Sequence, residues 1–203
     1  FLGSPLVRIG YAECFWRELL AGLDSEPGQA LFLHVNGVTI GGEVADALEA
    51  LCQEQRRRCA LVHQTERALL ENGLLPATYY EQAVRSKKRK ELRRQKNRLG
   101  EEGALTFTRD DSATGLTEWI SEFLALEKQG WKGRNGSALA SFAETRALFT
   151  EVLTGAAASG KLERLDLRLE GRPLAMLVNF HAPPGSFSFK TAFDEEFSRF
   201  SPG

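Results

Sequence analysis

The stretch Leu165-Asp-Leu-Arg-Leu-Glu-Gly-Arg-Pro-Leu-Ala-Met-Leu-Val-Asn-Phe180 contains two kinds of strand and the turn between them. Leu165, Leu167 and Leu169 alternate with Asp166, Arg168 and Glu170, the pattern of a strand with one wet face. Leu174 to Phe180 is almost continuously apolar, as a central strand covered on both faces must be. Glu170-Gly171-Arg172 is the turn that joins them. Pro183-Pro184-Gly185 makes a second turn, after which Phe187, Phe189 and Phe193 alternate with Ser188, Lys190 and Ala192. Turns this tight make the three strands consecutive antiparallel neighbours. Strict alternation then places Lys190 on the face opposite Phe187 and Phe189.

Upstream, Ala104 to Thr108 reads as a further strand. A helix is expected near Thr114, carrying Leu116, Trp119, Ile120, Phe123, Leu124 and Glu127 on one face and stopping at Gly130. A Gly-rich loop, Gly130-Trp-Lys-Gly-Arg-Asn-Gly136, follows it. Ser141 with Glu144 three residues on forms a capping-box pattern, opening a helix with Leu148, Phe149, Val152, Leu153 and Ala156 inward. Gly160 ends that helix. The order from Ala104 is therefore strand, helix, helix and three strands. Ser201-Pro202-Gly203 then reads as a helix opening, so the domain over 101–203 is expected to be truncated at its C-terminus.

Residues 1–75 read as a partial α/β lobe. Strands are expected at Ala30–Val35 and Cys59–His63, and a helix within Val44–Arg57. Pro76 to about Gly100 reads as one long basic connecting helix, with Pro at its first turn and Gly past its end. Nine Lys or Arg residues and one acid fall between Arg85 and Arg98. That local charge of +8 sits in a chain of net charge −1, leaving −9 for the remainder. Such segregation points to an anionic partner for the helix, or to a solvated face.

Composition narrows the class. With 42% hydrophobic and 26% charged residues, the 203-residue chain suits a soluble globular protein with a real core. No apolar run is long enough for a membrane span, and no signal peptide is visible. Cys14, Cys52 and Cys59 are scattered and odd in number, which favours a reducing, cytoplasmic setting. His34, His63 and His181 lie in or at the ends of expected strands without metal-ligand spacing, so they read as structural and no metal is expected. Nucleophile-elbow, Walker and dinucleotide motifs are absent.

The element order, together with Lys87-Lys-Arg-Lys-Glu-Leu-Arg-Arg94, Gly130-Trp-Lys-Gly-Arg134, Phe189-Lys-Thr-Ala-Phe-Asp194 and Phe200-Ser-Pro-Gly203, resembles the GNAT-like acyltransferases named after CelD-type cellulose-biosynthesis proteins. These are related to the two-lobed Fem-type transferases. The resemblance covers about Tyr79 to Gly203. It implies an α/β (α+β) fold with a mixed, mostly antiparallel sheet flanked by helices. It also implies acyl transfer from an acyl-CoA, with acetyl-CoA as the type case, to an amine or hydroxyl on a small-molecule or glycan-linked acceptor. The Gln/Arg-x-x-Gly-x-Gly/Ala phosphate signature of GNAT folds is absent, and Ser-Pro-Gly stands at the equivalent place.

On this resemblance Ser201 and Gly203 border the phosphates of the donor. A Ser cap, a Pro at the first helical position and a Gly that admits a ligand suit an anion site, and equally an ordinary helix cap. Lys190 and Asp194 border the reaction cleft. Lys190 alternatively lies on a wet sheet face, and Asp194 is its partner, a general base or a surface turn acid. Trp131, Lys132 and Arg134 border the acceptor, or Trp131 anchors a loop. Two other functions fit the same residues. One is a Fem-type aminoacyl-tRNA-dependent transferase whose basic helix 85–98 grips RNA. The other is a non-catalytic module of polysaccharide synthesis.

Overall fold

The computed structural model describes every residue except 1, 2, 27, 29, 30, 67 and 203. The chain divides into two compact units, residues 1–71 and 72–203. The first contains α1 (Ala12–Asp24) and α2 (Glu43–Glu54). The second contains α3 (Pro76–Ala83), α4 (Ser86–Glu101), β1 (Leu105–Asp110), α5 (Leu116–Gln129), α6 (Trp131–Arg134), α7 (Ala143–Ala158), β2 (Leu162–Leu169), β3 (Arg172–Ala182) and β4 (Gly185–Phe193), with 3-10 turns at Leu139–Ser141 and Glu195–Phe200.

The four strands form one antiparallel sheet in the order β1-β2-β3-β4. Strands β2 and β3 meet in a two-residue turn, with Leu169 paired to Arg172. Glu170 and Gly171 have φ of 49° and 81°, the type I′ geometry that matches strand twist. Strands β3 and β4 close equally tightly, with Ala182 paired to Gly185 across Pro183-Pro184. The expected strand order and antiparallel pairing hold, and the mixed helix-and-sheet class with them.

Two apolar layers flank the sheet. Phe123, Trp119 and Ile120 of α5 and Phe149 and Leu153 of α7 pack with Leu162, Met176, Val178 and Ala192 of the strands. Trp119, Phe123 and Phe149 stack at centroid distances of 5.4 and 5.0 Å. Leu99 of α4 and Phe200 pack with Leu169 and Leu174 in the second layer. Leu162 and Leu169 stand an odd number of residues apart on β2, so the pleat directs them to opposite faces.

Several elements differ from expectation. The single helix over 76–100 is two, because Val84 and Arg85 are extended (ψ of 112° and 143°). The Arg89 guanidinium donates to the carbonyls of Val84, at 2.5 Å, and of Glu81. It thereby satisfies carbonyls that continuation of α3 would have used. The capping box at Ser141 does not form. Phe142 is the N-cap residue of α7 without a side-chain cap, and Thr145 Oγ1 donates instead to the Leu139 carbonyl at 2.6 Å. Gly130–Gly136, expected as a loop, contains the short helix α6.

In the first unit no described residue forms a strand. The run over 31–35 and Cys59–His63 are unpaired, with Leu31, Phe32, Leu61 and Val62 exposed. Residue 30 lies outside the described residues. The unit is a helix pair with its own small core of Trp16, Leu20 and Leu51. A strand requires a partner ladder, and among the described residues this unit supplies no second edge for either segment.

Candidate functional site

Lys132 and Lys190, two of the expected site residues, meet where the last half of β4 passes the C-terminal end of α5. Helix α5 carries a continuous apolar stripe with one acid in it, Glu127, whose side chain is 1% exposed. Its Oε1 faces two ammonium groups, Lys132 Nζ at 3.2 Å and Lys190 Nζ at 3.4 Å. Its Oε2 accepts from the backbone amide of Leu139 at 2.7 Å. A buried carboxylate requires such compensation. Lys132 also donates to the Thr191 carbonyl at 2.9 Å, tying α6 to β4.

Lys190 reaches this site through an irregularity that alternation does not anticipate. Val178 pairs with Lys190 while Asn179 pairs with Ser188, so Phe189 is the extra residue of a β-bulge. The bulge directs Phe189 and Lys190 to the same face. Phe189 packs on Phe180 and Phe149 at 5.1 and 6.2 Å, while Lys190 meets Glu127. The opposite-face placement of Lys190 relative to Phe189 is thereby corrected. Among the described residues, strand β4 pairs with β3 alone and forms one edge of the sheet.

Asp194 does not pair with Lys190. It lies one residue past β4, buried, and caps the following 3-10 turn by accepting from the Glu196 amide at 3.1 Å. Arg172 forms an ion pair with it and a second, at 2.8 Å, with Glu196. Arg172 is held above its ordinary pKa, first by Glu196 and then by the charge of Asp194. Asp194 and Arg172 also line a cavity of about 180 Å³, with Glu122, Leu126 and Gln129 of α5.

Glu195 joins the α6 residues to this end of the sheet. Its Oε1 accepts from the Trp131 amide at 2.6 Å and its Oε2 from Arg134 Nη2 at 2.6 Å. Those two bonds, Arg134's first, hold the Glu195 carboxyl below its usual range. Trp131 is half exposed, and Lys132 Nζ lies 6.0 Å from its ring centroid. Gly133 is required by close approach, since a Cβ there would lie 1.7 Å from the Lys128 carbonyl oxygen.

Ser201 stands apart from these groups. It has left-handed backbone (φ 50°, ψ 58°), and its hydroxyl accepts from Gln95 Nε2 of α4 at 3.3 Å. Gly203 lies outside the described residues. Sequence reasoning left out Glu127 and Glu195 as site residues. The signal for Glu127 was an acid at a stripe position of an otherwise apolar helix face. Glu195 gave none, because its role depends on the turn that brings it under α6.

The arrangement offers a buried carboxylate with two amines, a second carboxylate paired to an arginine, and a sheet edge bonded on one side. Among the described residues no group of His, Cys, Asp and Glu is suited to a metal ion, and no helix is long and apolar enough to cross a membrane. A search of curated proteins finds no match. The family model described as "Acetyltransferase (GNAT) domain" matches residues 86–203, from the start of α4 through all four strands. With more than half of its length matched, this chain belongs to the GNAT acetyltransferase domain family.

Proposed function

We propose that the 72–203 unit transfers an acyl group from an acyl-CoA thioester to an amine or hydroxyl acceptor, as the CelD-type resemblance suggests. The observation that carries this reading is the bulged edge strand β4, flanked within the family-matched segment by the Glu127–Lys132–Lys190 cluster and by Asp194. Acyl-CoA supplies an activated acyl group and a thiol leaving group. It fits the site in one respect, because an extended arm bearing amides can lie along an edge strand that is paired on one side only.

Each residue then has a definable task. Asp194 accepts a proton from the acceptor, at the cavity that it lines together with its ion-pair partner Arg172. Lys190 supplies positive charge for the negative charge that develops on the carbonyl oxygen, and Glu127 fixes its position. Trp131 and Arg134 border the acceptor, and Lys132 secures α6 to β4. Ser201 borders the phosphates of the donor.

The test is thiol release from a panel of acyl-CoAs with polyamine, amino-sugar and hydroxyl acceptors. Asp194→Asn and Lys190→Met should each lower kcat/KM by roughly 10²-fold or more. Turnover unchanged in both variants, or no binding of any acyl-CoA by calorimetry, would remove the proposal.

A further inference from the structure

Helix α4 divides its surface between two tasks. One side carries Leu92, Gln95 and Leu99, of which Leu99 packs on the sheet, only 3% exposed against Leu169, Leu174 and Phe200, and Gln95 bonds Ser201. The other side carries Lys87, Lys90, Arg94 and Arg98 at spacings of three and four residues, with Arg93 beside them. At 3.6 residues per turn these project from one face. Lys90, Arg93, Arg94 and Arg98, with Asn97 and Glu101, line a shallow depression of about 380 Å³.

The basic residues of the segment are not equivalent. Lys88 pairs with Glu91 at 3.3 Å, and Arg89 is occupied by the carbonyls that end α3. Among the described residues, Lys87, Lys90, Arg93, Arg94 and Arg98 have no ion pair. Five like charges on one face over about 16 Å of helix repel one another and are relieved by an anion array of similar density.

We propose that the Lys90–Arg93–Arg94–Arg98 face of α4 binds the phosphate backbone of duplex nucleic acid. Charge density selects this partner. A duplex carries one negative charge per roughly 1.7 Å of axis, and three of the four cations are arginines, whose forked donors match phosphate oxygens. An anionic membrane fits less well, because the apolar side of α4 is committed to the sheet and its basic face carries no apolar or aromatic residue to insert. A polyuronate, with one carboxylate per sugar, has more widely spaced charges. No base-reading geometry is implied, so the binding is independent of sequence. The surface lies on the opposite side of the sheet from Glu127 and Lys190, and the proposal is independent of the acyl-transfer reading.

The test uses the full chain and fluorescence anisotropy with short duplex RNA and duplex DNA over a salt series. Four phosphate contacts give a slope of log K against log salt of about −3.6, or on the order of a 100-fold loss of affinity between about 50 and about 200 mM. The Arg93→Gln/Arg94→Gln variant should reduce the slope by about 2 with thermal stability unchanged. Absence of duplex binding at low salt, or a flat salt dependence, overturns the proposal, and both are read on the wild-type chain whatever the variants do. Equal or tighter binding to vesicles of anionic phospholipid or to a polyuronate at matched charge also overturns it. So does a slope unchanged in a folded double variant.

Discussion

At the scale of single residues, Glu127 concentrates the most consequence. It is an acid on the buried face of α5, where transfer from water is unfavourable unless its oxygens are satisfied. The structure satisfies them with two ammonium groups and one backbone amide. Lys132 and Lys190 are in turn 23% and 27% exposed, so each retains some water if the carboxylate is lost. Replacing Glu127 by Gln preserves shape and the bond from Leu139, but it directs two cations at a neutral amide. We expect a loss of roughly 1–3 kcal/mol in unfolding free energy, measured by urea denaturation. The companion variant Lys190→Met removes the competing cation and should recover part of that loss in the double mutant. Strict additivity of the two changes would show that Glu127 and Lys190 do not interact. The coupling bears on the proposed function because Glu127 holds the Lys190 ammonium.

At the scale of elements, α6 is a four-residue helix held in place by its neighbours. Lys132 ties it to the Thr191 carbonyl, and Glu195 binds both its first amide and Arg134. The Glu195 carboxyl is held below its usual range because these bonds favour its charged form. Its stabilising contribution is therefore complete above the ordinary carboxyl pKa of about 4.3 and is lost as pH falls through the depressed folded value. An acid titration followed by Trp131 emission should show a transition below about pH 4.3, and Glu195→Gln should abolish it. A wild-type transition centred above that value would contradict the assignment. The same segment shows what a sequence can and cannot convey. The four strands of the sheet and α5 were legible because alternation, continuous apolarity and 3.6-residue periodicity each have one physical cause, whereas the apolar runs over 31–35 and 59–63 form no strand. Two-residue turns fixed the order of β2, β3 and β4. The bulge at Phe189 was not legible, because Phe-Lys-Thr gives no sign of which residue is extra, and one extra residue reverses every facing assignment before it. The break between α3 and α4 depends on Arg89 reaching back to Glu81, a contact between residues eight apart that periodicity does not encode. Ser141 matched a capping pattern but sits in a 3-10 turn, where its neighbour Phe142 takes the N-cap position.

At the scale of the whole molecule, the chain contains two units, each with its own core. Residues 1–71 rest on a small one, in which Trp16 is 1% exposed and donates its indole N–H to the Val44 carbonyl at 2.7 Å. Phe15 lies edge-on to it at 4.9 Å, and Leu20 and Leu51 complete the contact between α1 and α2. Residues 72–203 rest on the larger clusters on the two faces of the sheet. A core residue's loss is felt by the atoms that packed on it, so damage should follow this partition. Trp16→Ala removes both the largest buried side chain of the first unit and the bond to Val44, a loss of about 3–5 kcal/mol. A helix pair with so few buried residues has little reserve against a loss of that size. Hydrogen exchange read by mass spectrometry should then show α1 and α2 losing protection, with β2 and β3 exchanging at the wild-type rate. Protection lost equally in both units would mean that they unfold as one, and the acyl-transfer reading would then have to be tested with residues 1–71 intact.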